Sequence, residues 1–155
     1  MAGEKYLETQ GITVWIGTQA ADPLTDTYTQ IKRIKSIGEF GGEAQVSDEA
    51  TCLEDTAKEK VKKMIDPGQL QLSGNHIPTD PGQLLLKAAA AMETNSPHNF
   101  KIVNNNMPSG GSHGDIFYSK AFVLSHKRTG LEVDGTQGFQ STIELTGAAT
   151  EVEAA

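Results

Sequence analysis

The sequence predicts a mainly β protein, a β-sandwich or barrel packed against one α-helix. Three observations predict it. Short runs of alternating polar and apolar residues recur along the 155 residues. Sixteen glycines break those runs at turn-like intervals. Helical spacing holds convincingly in a single segment, Asp80 to Glu93.

The elements follow in chain order. ITVWIG alternates Ile12, Val14 and Ile16 with Thr13 and Trp15 and reads as a strand. IKRIKSIG (Ile31 to Gly38) is β-branched and basic, which suits a solvated or edge strand. The pentapeptide DPGQL then occurs twice, at Asp66–Leu70 and at Asp80–Leu84. Each copy is a turn, because Pro fixes φ and Gly accepts positive φ next to it. The first leads into alternating Leu70 and Leu72, a strand. The second leads into Leu84, Leu85, Ala88, Ala91 and Met92 at helical spacing, with Asp80 as N-cap, Pro81 at the first helical position and Gln83 as capping-box partner. The shared phrase is turn chemistry and not a functional repeat. NFKIVNN (Asn99 to Asn105) is a short strand. DIFYSKAFVLSH (Asp115 to His126) is apolar on both faces and belongs at the centre of a sheet. GFQSTIELTG (Gly138 to Gly147) closes the pattern with alternating Phe139, Ile143 and Leu145.

Two stretches stand outside this core. Residues 41–68 are long, polar and mixed in charge, with Ala57 to Ile65 readable as a short helix. A loop of that length ordinarily acts on something. Residues 148–155, small and acidic, read as a mobile tail.

Charge and chemistry narrow the function classes. A net charge of −7 argues against a dedicated duplex-DNA binder. The single Cys52 makes no internal disulfide, and the first ten residues lack a signal-peptide pattern, so folding in a cytoplasm is expected. His76, His98, His113 and His126 lack metal-ligand spacing. PSGGSHGD (Pro108 to Asp115) lacks the ending and the helix of a phosphate loop. Ser112, His113 and Asp115 are triad residue types, but neighbours in sequence seldom converge. The expectation is no catalytic residue, no cofactor and no metal. The lysines of AKEKVKK (Ala57 to Lys63) alternate with Glu and lack stacking aromatics, so they read as a solvated segment.

The order of these pieces resembles a known family. ITVWIG, then ADPLTD, then IKSIGEFGGEAQVSDEATCLED (Ile34 to Asp55), a helix, GDIFYSKAFVLSH and a closing GFQSTIELTG together resemble a major tail tube protein of long-tailed bacteriophages, a group related to the type VI secretion tube protein. The resemblance covers about residues 10–147. It implies a tail tube domain over 1–147 in which 41–68 form a long flexible β-hairpin arm. It also implies a structural virion protein without enzymatic activity, assembled in the host cytoplasm into hexameric rings. The rings would stack into a tail tube around a tape-measure protein, with initiator and terminator proteins at the ends and DNA passing through without specific binding. Arm residues Glu43, Asp48, Glu49, Glu54 and Asp55 would make inter-ring or lumen-facing contacts, meeting Lys58, Lys60, Lys62 or Lys63 of a neighbour. Two other readings share the composition: a monomeric or dimeric β-sandwich module that binds a protein through its long loop, and a secretion-system tube or tail-end ring. A hydrolase using Ser112 or His113 is the remaining class.

Overall fold

A computed structural model describes residues 10–49, 57, 59–93 and 95–155. Its elements are β1 (Thr13–Ile16), β2 (Thr29–Ile31), β3 (Ile34–Ser36), β4 (Glu43–Glu49), β5 (Glu59–Asp66), β6 (Gln69–Asn75), α1 (Pro81–Ala91), β7 (His98–Val103), β8 (Ile116–Thr129) and β9 (Gly138–Val152). Seven strands form one antiparallel sheet in the order β2-β1-β7-β8-β9-β6-β3, and β4 pairs with β5 alone.

The two edges of the large sheet are joined by two residues of chain. At about 4.8 Å between strands, a flat seven-stranded sheet would hold its edges roughly 29 Å apart. The three peptide steps from Ile31 to Ile34 reach about 11 Å at most. The sheet therefore rolls until β2 and β3 adjoin, and the barrel expected from sequence is approached through a corner at Lys32 and Arg33.

That corner corrects the reading of IKRIKSIG as one strand. Arg33 has φ 62, uncommon for a residue with a Cβ, and the strand breaks there. Side chains of the second DPGQL hold the break. The Lys32 N–H donates to Asp80 Oδ2 at 3.1 Å. Gln83 Nε2 donates to the carbonyls of Lys32 and Asn75 at 3.0 and 2.9 Å, and Gln83 Oε1 accepts from Ile77 N–H at 2.9 Å. Asp80 also caps α1 by accepting from Gln83 N–H at 3.2 Å. Gln83 thus serves the corner and not the reciprocal capping-box bond. Gly82 lies against the Gln30 carbonyl, where any Cβ would overlap it.

The corner also sets the rotation of the helix. Leu84, Leu85, Ala88, Ala91 and Met92, the residues that recur at helical spacing, are exposed. Gly82, Gln83, Leu86 and Ala89 are buried instead, against β1, β2 and β8. LLLKAAAAM is apolar nearly all round, so its periodicity cannot choose a face. The buried Asp80 and Gln83 bonds choose it. Beneath α1, Val14, Ile16, Phe100, Ile102, Ala121, Val123, Ile143, Leu145, Leu70 and Leu72 form a continuous core. Strand β8 is central, between β7 and β9, as its two apolar faces foretell.

The segment read as a tail is part of the fold. Strand β9 continues to Val152, paired with the start of β8. The Ala155 carbonyl then accepts from the N–H groups of Ser112 and His113 at 2.6 and 3.1 Å, and Asp115 Oδ1 accepts from Ala154 N–H at 2.8 Å. Small residues without apolar alternation carry no strand signal, but a partner strand satisfies their backbone groups.

Candidate interface: the hairpin arm

Residues 43–49 and 59–66 form an antiparallel hairpin outside the rolled sheet. Of the short helix readable at Ala57 to Ile65, residues Glu59 to Ile65 lie in strand β5 instead. With β4 in register beside it, the segment's backbone bonds go across the hairpin, and the helix loses that competition. Both ends of the arm are tied to the body. At its entry the Phe40 ring packs on Phe117 of β8, centroids 4.8 Å apart. At its exit the Gly68 carbonyl accepts from Leu145 N–H of β9 at 3.0 Å.

The register places Asp48 opposite Lys60 and Val46 opposite Lys62, while Glu49 stands opposite Glu59 and Glu43 opposite Asp66. Lys60, Lys62, Lys63 and Glu43 are exposed. Glu54, Asp55 and Lys58 of the expected contact set lie outside the described residues. Sequence reasoning picked the charges and passed over the apolar residues. Val46, Val61, Met64 and Ile65 are all exposed, Met64 at 89%. Val61, Met64 and Ile65 stand at i, i+3 and i+4 in EKVKKMI, a spacing that a helix gathers on one face, so it does not mark an exposed strand. A two-stranded ribbon is marginal on its own. This one shows water an apolar set that nothing in its own chain covers among the described residues.

A second cluster, also unforeseen, lies on the sheet face away from the core. Lys101 stands opposite Trp15 on β1 and Tyr118 on β8. Its Nζ sits 4.6 Å from the Trp15 ring centroid and 4.8 Å from that of Tyr28. Burial holds the Lys101 ammonium below its ordinary pKa, and burial together with Asp26 pushes the Tyr28 phenol up. Asp26 anchors the loop between β1 and β2. It accepts from Thr18 N–H, Thr18 Oγ1, Thr27 N–H and Asn99 Nδ2, at 2.6 to 2.8 Å. Burial works to raise its pKa, but the bonds from Thr18, Asn99 and Thr27 outweigh it and hold the carboxyl below its ordinary value.

The residues of catalytic type have structural engagements. Ser112 and His113 bind the C-terminal carbonyl, and Asp115 binds Asn106 and Ala154. His126 Nδ1 pairs with the buried Ser141 hydroxyl at 2.8 Å and stacks on Phe139. Among the described residues no group of three His, Cys, Asp or Glu could hold a metal. No described helix is long and apolar enough to cross a membrane.

No protein-family model and no curated protein matches this sequence. Solved structures do. A chain of the six-fold symmetrised anti-feeding prophage baseplate superposes with a TM-score of 0.73 at 11% identity, over 99% of this chain and 98% of that one. The SPP1 tail tube superposes with a TM-score of 0.64 at 13% identity, over 96% of this chain and 80% of that one. This chain has the tail-tube fold. The tail of an empty GTA particle, refined with C6 symmetry, adds a third match at TM-score 0.66 and 11% identity, over 95% of this chain and 99% of that one. At such identities the likeness is one of backbone. It agrees with the fold expected from the resemblance in sequence.

Proposed function

We propose that this protein is a structural tail-tube subunit. Six copies close into a ring, rings stack into a hollow tube, and the tube conducts DNA from a phage-like particle. The observation that carries the reading is the end-to-end backbone match to chains from six-fold tail assemblies. The arm supports it, since its exposed Val46, Val61, Met64 and Ile65 await cover that a neighbouring ring supplies. In this reading the arm charges Glu43, Asp48, Glu49, Lys60, Lys62 and Lys63, with Glu54, Asp55 and Lys58, set the register of contacts between rings around that apolar centre. A tape-measure protein fills the lumen during assembly, and initiator and terminator proteins bound the tube. The net charge of −7 keeps DNA from adhering in transit. The protein acts as a scaffold, without catalysis.

A specific observation favours one variant of this reading. The matching structures include the anti-feeding prophage tube-terminating cap and a sheath/tube terminator, at TM-scores of 0.71 and 0.70. A ring that ends a tube would share the fold without stacking on itself.

Negative-stain electron microscopy of the concentrated protein, alone and with a tail-initiator complex, tests the proposal. Hollow tubes of uniform width with six-fold end views are expected. Single rings would favour the tail-end variant. Dispersed particles under both conditions would overturn the reading in favour of a protein-binding module.

A further inference from the structure

The β8–β9 turn presents a second unpartnered surface, remote in sequence from the arm. It reads Leu131-Glu132-Val133-Asp134, apolar and acidic in alternation. Leu131 is 67% exposed and Val133 fully exposed. The turn is held in shape. Gly130 takes φ 70 and packs against the Thr136 carbonyl, and Gly135 N–H donates to the Glu132 carbonyl at 3.0 Å. A defined turn that points two aliphatic side chains into water suits a knob that seats in a partner.

The same chain carries a cleft of matching chemistry. Where the sheet rolls together, a continuous groove runs between the β1–β2 edge and β3. Its floor is Ile12, Ile34 and Ile37, each partly buried against the core. Its rim carries Arg33 and Lys35, both exposed. Neither cation is bonded to a carboxylate among the described residues. The turn offers two aliphatic groups with two carboxylates, and the groove offers an aliphatic floor with two cations.

We propose that the 130–137 turn of one copy docks in the β1–β3 groove of a second copy, with Leu131 and Val133 on the isoleucine floor and Glu132 and Asp134 against Arg33 and Lys35. The two surfaces differ, so the contact is head-to-tail and leaves a free turn and a free groove at each step. Such a contact closes a ring or extends a stack, and in that respect the inference rests on the tube reading.

Two single-cysteine variants in a Cys52→Ser background, Val133→Cys and Lys35→Cys, are mixed and oxidised mildly. A mixed disulfide between the two variants is expected, far exceeding either homodimer. Chains of a Val133→Cys/Lys35→Cys double variant should form a covalent ladder. In parallel, Glu132→Lys/Asp134→Lys should raise the concentration needed for assembly at least about tenfold, because like charges then face each other. Adding Arg33→Glu/Lys35→Glu to the same chain should restore it. Circular dichroism of each variant checks that the fold is kept. Absence of the mixed disulfide overturns the inference. So does failure of the double reversal to rescue. Normal hollow tubes with no mixed disulfide would sink this contact and leave the tube reading standing. A ladder without tubes would do the reverse.

Discussion

The rolled sheet and the hairpin arm are built from the same kind of strand, yet they use apolar residues in opposite ways. Along β6, Leu70 and Leu72 point into the core and are essentially inaccessible, while Gln69 and Gln71 face out. Along β5, Val61, Met64 and Ile65 are exposed, and so is Val46 on β4, opposite Lys62. The core strands of the body are covered by their own chain. The arm is not, and the difference teaches where a fold ends and an assembly begins: apolar residues on a well-paired strand with nothing over them mark a surface that a neighbour completes.

The largest expected effect belongs to the body. Leu72→Ala should cost about 2–5 kcal/mol in a denaturant melt, by lost burial and a cavity beneath α1. Ile65→Ala in the arm should stay within about 0.5 kcal/mol in the same melt of dispersed protein. A loss at Ile65 as large as at Leu72 would break the comparison.

Next in size is the corner that joins the sheet edges. Gln83→Leu keeps the bulk but leaves the Ile77 N–H and the Lys32 and Asn75 carbonyls without their side-chain partner. It should cost about 1–3 kcal/mol. Asp80→Ala, which removes a cap and the Lys32 bond, should cost about 1–2 kcal/mol. Thermal unfolding reads both, and neutral results would show that the corner forms without these side chains.

The contrast is legible in the sequence only in part. Alternation found the strands whose faces differ, such as ITVWIG and GFQSTIELTG. It could not mark Arg33, because a corner leaves the hydrophobic pattern of IKRIKSIG unbroken and shows itself only through Asp80 and Gln83, some fifty residues away. It could not rotate α1, because LLLKAAAAM offers apolar residues to every side. The arm charges were visible as charges. The exposed apolar residues of the arm were not, since the spacing of Val61, Met64 and Ile65 suits one face of a helix, and only the pairing of β5 with β4 outside the sheet leaves them uncovered. The Trp15–Lys101–Tyr28 cluster needed a register between β1 and β7 that no local pattern specifies.

A smaller effect sharpens the comparison from the side of assembly. Met64→Ser/Ile65→Ser should leave the melting temperature of dispersed protein within a few degrees, since exposed positions contribute little. It should shorten or abolish tubes in electron micrographs. Reversing Lys60, Lys62 and Lys63 to Glu should act in the same direction and more strongly at low salt. Tubes of normal length from both variants would remove the arm from the interface.

The smallest expected effect is a pH dependence within the body. Burial holds His98 and His126 below the ordinary histidine pKa, for His126 with help from His76, Lys87 and Arg128. The unfolded chain therefore binds protons first as pH falls below about 6.5. Stability should decline from pH 7 towards the depressed folded values and level off below them. His126→Gln should flatten part of that decline, and an unchanged slope would show that His126 plays no part in it. Asp26, also depressed, adds its loss only lower, as pH falls below about 4 through its folded value.

The most direct test of the central claim is hydrogen–deuterium exchange of residues 43–66, measured on dispersed protein and again on assembled protein. The account predicts fast exchange in the dispersed arm, slow exchange throughout β6, β8 and β9 in both states, and strong protection of the arm on assembly. An arm that exchanges alike in both states would contradict it, because no neighbour would then be completing the hairpin.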